Sequence, residues 1–223
     1  MADPIQDARD KAWALDAEAR QAWVEQDFTR SRQLFEQALE IFRSIIWKEE
    51  IIYGLIHVTQ AMAFGPDYQP SAARPLLEEA LQLAQDLDSA RYLLPVQINR
   101  IRVMIDSGEN AAGLALAQEY LPVAEKFADK NFICSMLTFV SFALVGLGLS
   151  EDALRMFAAT EAERSHQGVK ITDPVMVKSL ERRLRPARST LTAERQEQVE
   201  AEGYEMSLEQ AVKYALAIRS PRK

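Results

Sequence analysis

The sequence predicts an all-α fold, an α-solenoid of four helical hairpins followed by three capping helices. Three observations predict it. Apolar residues recur at helical spacing along the chain and almost nowhere alternate with period two. Four segments share one pattern: "FTRSRQLFEQALEIF" from Phe28, "PSAARPLLEEALQLA" from Pro70, "NAAGLALAQEYLPVA" from Asn110 and "SEDALRMFAATEAER" from Ser150. A turn-forming stretch precedes each ("EQDF", "GPDY", "SGEN", "GLGLS"), where Asp, Gly and Asn favour a break.

Within the repeat, small residues fall at Ser31, Ala73, Gly113 and Ala153, spaced 42, 40 and 40 apart. Four residues on lie Phe35, Leu77, Ala117 and Phe157. The small residue lets two helices approach, and the residue one turn later fills the groove beside it. The hairpins are predicted at 5–25 and 28–45, 48–64 and 71–87, 90–106 and 111–127, and 131–147 and 151–166. No hairpin covers its own apolar face, so neighbours must stack. Pro95 and Pro122 should each mark a late start, an early stop or a kink, because proline lacks the N–H and clashes one turn back.

From Phe132 to Leu149 eighteen residues carry no charge. Gly146 and Gly148 sit where the turn belongs, which leaves a helix of about fourteen residues and about 21 Å, short of the ~30 Å hydrocarbon core. The stretch is therefore read as a buried helix, covered on both sides, rather than a membrane span. After Gly168, a helix C-cap, "TDP" at 172–174 reads as an N-cap with proline at the first helical position. Helices follow at 174–188, 191–202 and 207–219, the last opening with a Ser207/Gln210 capping box. Its stripe of Leu208, Ala211, Val212, Ala215 and Leu216 must dock on the end of the array. Residues 1–168 thus form the array and 169–223 its cap, as one structural unit.

The net charge of −7 argues against bulk affinity for nucleic acid. The single cysteine, Cys134, lies in the apolar run, where burial raises a thiol pKa and leaves it inert. The amino terminus, "MADPIQDARDKAW", has acids where a signal peptide needs basic and then apolar residues, and the expected location is cytoplasmic. No glycine-rich phosphate loop ending in Lys and a hydroxyl residue occurs. His57 and His166 lack a second His or Cys at ligand spacing. The pairs Glu49–Glu50 and Glu78–Glu79 read as solvated helix faces. The expectation is a protein that is not an enzyme and needs no cofactor or metal.

The A-x3-F-x2-A-like segments and GDY-like turns resemble tetratricopeptide (TPR) repeats, with a period near forty where about 34 is usual. From about 105 to 218, "SEDALRMFAATEAER", "ERRLRPAR" and "EAEGYEMSLEQAVKYAL" follow in an order similar to the C-terminal end of TPR arrays in bacterial STAND-type regulators. These include LuxR-like and AfsR-like activators and predicted ATPases. Glu200 stands where a tryptophan is common before the "EG". The resemblance implies a binding array without chemistry of its own, in bacterial signalling or transcriptional control.

It also implies a concave groove lined by the first helix of each hairpin. Equivalent faces then carry Trp13, Asp16, Arg20 and Trp23; Tyr53, Ile56, His57 and Gln60; Ile98, Asn99 and Arg102; and Thr138, Phe139 and Phe142. The candidate partner-binding residues are Trp13, Arg20, Trp23, Tyr53, His57, Gln60, Asn99, Arg102, Phe139 and Phe142, since aromatic, arginine and amide groups combine area with directional bonding. The Lys/Asn clamp of chaperone-binding TPR proteins is absent from these positions. A secondary basic patch comprises Lys178, Arg182 and Arg185 on one helical face, with Arg183 and Arg188 beside it. From residue 160 onward the chain carries +2, against −9 for the rest. The expected partner is a protein or peptide. The alternatives are a small-molecule effector in the groove and a self-associating scaffold (a homo-oligomer); neither membrane nor nucleic acid is expected to bind directly.

Overall fold

Short polar side chains set where many of the helices begin. Asp3, Asp27, Asp129, Asp173, Thr192 and Ser207 each accept a hydrogen bond from a backbone N–H of the first turn that follows. The helices, in a computed structural model that describes residues 3–169, 171 and 173–220, are α1 (Pro4–Val24), α2 (Phe28–Ser44), α3 (Lys48–Phe64), α4 (Pro70–Asp86), α5 (Ala90–Asp106), α6 (Asn110–Phe127), α7 (Lys130–Gly146), α8 (Ser150–His166), α9 (Pro174–Arg188), α10 (Ala193–Tyr204) and α11 (Leu208–Ala217). No strand occurs among the described residues. Asp173 caps α9 and Pro174 is its first residue, whereas Thr172 of the predicted cap lies outside the described residues. The Ser207/Gln210 capping box is present at α11. Helices α5 and α6 neither start nor end at Pro95 and Pro122, which lie inside them.

The turns share a device. After α1, α2, α5, α7 and α8 the chain closes with a 6→1 backbone bond: Asp27 to Ala22, Trp47 to Phe42, Glu109 to Met104, Leu149 to Leu144 and Val169 to Arg164. The residue before each donor has positive φ. It is glycine at Gly108, Gly148 and Gly168, but Gln26 (φ 64°) and Ile46 (φ 55°) elsewhere. A β-branched residue pays most for this conformation.

The contacts divide the chain inside α5 into two compact units, one ending at Val103 and one beginning at Met104. In the first unit α1 packs on α2, α2 on α3 and α3 on α4. Phe35, Leu39, Phe42, Ile52, Leu55, Leu77 and Val96 form its core. In the second unit α6, α7 and α8 pack in sequence, and α9, α10 and α11 all pack on α8. Helix α7 is seventeen residues long because Asp129 starts it early and it runs on through Gly146. It buries Met136, Leu137, Val140 and Leu144 against α6, α8, α9 and α11. No helix among the described residues is long and apolar enough to cross a membrane.

Two side chains fix the terminal helices to the second unit. Arg155 of α8 donates to Glu202 at 2.6 Å, to Asp152 at 3.1 Å and to the Tyr214 hydroxyl at 3.0 Å. Gln118 of α6 donates to the carbonyls of Ala215 at 2.9 Å and Ile218 at 2.8 Å, meeting acceptors that the end of α11 leaves over. Glycine permits the closest helix contact. A Cβ on Gly203 of α10 would lie 2.1 Å from the Arg155 carbonyl oxygen and 3.0 Å from the Ala158 Cβ.

Two stability measurements test these readings. Gly203→Ala should force α10 off α8, cost about 3 kcal/mol and lower the thermal midpoint by roughly 6–12 °C. Gly146→Ala is the contrast, because its Cβ would meet only the Asn110 side chain, which can swing aside, and it should be nearly neutral. At the other turn Ile46→Gly should raise stability by about 1 kcal/mol in denaturant titration, because it relieves positive φ at a residue that is 78% exposed.

Candidate functional site

Helix α1 carries Asp16, Arg20, Trp23 and Val24 on one face, and α3 carries Tyr53, His57 and Gln60 at the same spacing. These faces meet at a cavity of about 300 Å³ lined by Arg20, Trp23, Val24, Phe35, His57 and Gln60. Phe35, from α2, closes its floor within the apolar core. Four of the ten predicted groove residues therefore converge on one site in the first unit.

Asp16 organises the polar side of this site. It is only 6% exposed, and its Oδ2 accepts from Arg20 Nε at 2.6 Å. Its Oδ1 lies 3.3 Å from His57 Nδ1, an ion-pair distance without hydrogen-bond geometry. Burial by itself would raise the Asp16 carboxyl pKa, but the His57 and Arg20 contacts outweigh burial and hold it below the ordinary value. On the same helix face as His57, Glu50 shifts the opposite way. Burial, and then the charges of Asp16 and Glu49, push its carboxyl up. The His57 ring contacts Phe35 at 4.9 Å between centroids and stacks on Tyr53 at 6.5 Å, so its plane is held from two helices. Trp23 meets Phe64 edge-on at 5.1 Å and Phe28 at 5.2 Å, which fixes the apolar wall.

The bonds made by Asp16 leave the site's other donors available. Arg20 spends Nε on Asp16 while its side chain stays 56% exposed. The Gln60 carboxamide is half-buried at the cavity wall, and no hydrogen bond among the described residues engages it. Convergent polar groups not consumed by folding, beside aromatic walls, are the composition of a binding pocket.

The remaining predicted residues lie elsewhere. Trp13, 43% exposed, belongs to an aromatic cluster with Phe42 and Trp47, and the Arg9 guanidinium sits 4.4 Å over the Trp47 ring. Tyr53 adjoins the cavity through His57 and meets Tyr92 at 5.9 Å. Asn99 and Arg102 are buried; they donate to the carbonyls of Pro95 at 2.9 Å and Thr59 at 2.9 Å and do not present an open surface. In the second unit Phe139 meets Phe142 edge-on at 5.9 Å, and Phe142 is buried beneath the Arg183 guanidinium.

The five-residue basic patch divides by face. Arg183 pairs with Asp106 at 2.6 Å and Arg188 with Glu200 at 3.1 Å, which leaves Lys178, Arg182 and Arg185 as the exposed row on α9. A larger cavity, about 370 Å³, lies between α8 and α10 beside Phe157, Ala201 and Tyr204. Its charged groups are already matched, Arg188 with Glu200 and Glu161 with Arg164, so it offers few donors to a ligand. Cys134 is buried, and that burial raises its thiol pKa.

Sequence reasoning did not place Val24 or Phe35 at the site. Val24 carries no assignment within the first predicted helix, and Phe35 reads only as the residue that fills the groove between two helices. No family model matches the chain, and neither a curated protein nor a solved structure does.

The Asp16 geometry predicts an acid-side dependence. A lowered folded-state pKa contributes stability that is complete above the ordinary value of 3.8 and is lost as pH falls through the folded-state value. Asp16→Asn should cost about 1 kcal/mol at neutral pH, since the half-exposed Arg20 is partly screened. The gap between wild type and variant in unfolding midpoint should then close below that ordinary value. A gap that stays constant down to the acid limit would contradict the pairing.

Proposed function

We propose that the chain is a non-enzymatic, TPR-like binding module of bacterial signalling or transcriptional control, and that its first unit holds a protein or peptide partner at the α1/α3 cavity. The observation that carries this reading is the convergence of Arg20, Trp23, His57 and Gln60 on one cavity, where Arg20 keeps its terminal nitrogens and Gln60 its carboxamide outside the bonds of the described residues. The repeat reading has support from helix starts. Helices α2, α4, α6 and α8 begin at Phe28, Pro70, Asn110 and Ser150, with intervals of 42, 40 and 40 residues. An arginine beside aromatic walls is the composition of an energetic hot spot. A small-molecule effector is the second reading, favoured by a volume of about 300 Å³, the lower end of the range for small-ligand pockets.

The test is affinity capture on immobilised chain, with wild type, Arg20→Ala/Gln60→Ala, and Lys178→Ala/Arg182→Ala/Arg185→Ala compared side by side. A partner of this cavity should bind wild type and the triple variant alike and weaken ~30-fold or more on the double variant, the scale of a hot-spot loss. Equal recovery of every partner on all three proteins would remove the cavity from the function.

A further inference from the structure

The lining of the α1/α3 cavity selects a charge and a shape. It contains one permanent cation, Arg20, and no carboxylate. The nearest acid, Asp16, is buried and already faces both Arg20 and His57. A cationic ligand would therefore find no carboxylate in the lining to receive it, because Asp16 is already engaged with Arg20, whereas an anion meets the Arg20 terminal nitrogens. The Asp16 bond occupies Nε and leaves the Nη1/Nη2 edge, the planar fork that matches a two-oxygen acid. The Gln60 carboxamide adds a donor, and the His57 ring is held beside it by Phe35 and Tyr53. A single guanidinium suits a monoanion; a phosphate dianion calls for more positive charge than this lining has. Three of the six lining residues, Trp23, Val24 and Phe35, are apolar, so the ligand must carry an apolar body to cover them.

We infer that this cavity binds a small organic monocarboxylate with an aromatic or branched apolar body, its carboxylate on Arg20 and Gln60 and its body against Trp23 and Phe35. The inference rests on the reading of this cavity as the binding site, and it names the ligand class for the effector alternative. A volume of about 300 Å³ is enough to hold one such acid whole.

The experiment is isothermal titration calorimetry on the full chain with 3-phenylpropionate, indole-3-acetate and 4-methylpentanoate, each beside its neutral primary amide. An N-acetyl dipeptide ending in phenylalanine supplies the same carboxylate from a peptide source. At least one free acid should bind wild type, and its amide should bind ~10-fold or more weakly, a comparison that needs no variant. Arg20→Gln should lose the acid preference. Gln60→Leu, which leaves the Asp16 pairing intact, should weaken the acid by ~3–10-fold, and Lys213→Ala, on α11, should change nothing. Absence of binding by all three acids up to about 5 mM would overturn the inference, as would equal affinity for acid and amide or binding by the dipeptide alone. Should the capture experiment still show a partner lost on Arg20→Ala/Gln60→Ala, the cavity would stand as a site and only the ligand class would fall.

Discussion

Everything at the candidate site depends on how the chain turns back after each helix. A residue with positive φ followed by a 6→1 bond ends α1 at Gln26 and Asp27 and α2 at Ile46 and Trp47. Two such reversals return α3 to the side of α1, and only then can Asp16 approach His57 across 41 residues of chain. The cost falls on side chains unsuited to the conformation, Ile46 above all, and packing of α1 on α2 and α2 on α3 offsets it. Phe35 belongs both to that packing and to the cavity lining, so the floor of the cavity is part of the core of the unit.

Asp16 shows how a buried charge can organise a surface site. Burial alone pushes a carboxylate at this depth up in pKa, towards the neutral acid. Two basic neighbours keep it ionised, and the geometry they adopt to do so sets the direction of the Arg20 guanidinium and the position of the His57 ring. The pairing is thus less a source of net stability than of orientation, in keeping with the small net worth of ion pairs open to water on one side. Glu50 is the complement: close enough to feel Asp16, without a matching cation of its own at hydrogen-bond range, and shifted towards the neutral acid.

The helices were largely legible because their ends are chemical. Asp27, Asp129, Asp173 and Ser207 announce helix starts, and Gly148 and Gly168 announce ends. The turns at Gln26, Ile46 and Ala128 carry no such mark, since the residues there adopt positive φ only under the demand of the packed helices. The α1 and α3 faces were legible from spacing, which brought Arg20, Trp23, His57 and Gln60 into register. Spacing does not say which side of a helix the next element covers. Asn99 and Arg102 occupy equivalent positions on α5 and are nonetheless buried, with donors on backbone carbonyls. On α9 spacing did separate the faces: Lys178, Arg182 and Arg185 share the exposed row, and Arg183 and Arg188 beside it pair with Asp106 and Glu200.

What separates a site from a decorated surface here is whether folding has already used the polar groups. Around the α8/α10 cavity every charge has a partner of opposite sign, and Arg155 alone joins Glu202, Asp152 and Tyr214. Those groups hold helices together, and a ligand would have to displace them at a cost comparable to what it gained. At the α1/α3 cavity the accounting differs. Asp16 is buried and engaged by Arg20, while the outer edge of Arg20 and the carboxamide of Gln60 remain open to whatever enters. An unused donor at the mouth of an apolar recess loses little when it is covered by an acceptor, because its bond to water is exchanged for one of equal kind while the apolar walls leave water altogether. That asymmetry, more than size, makes the smaller cavity the better candidate.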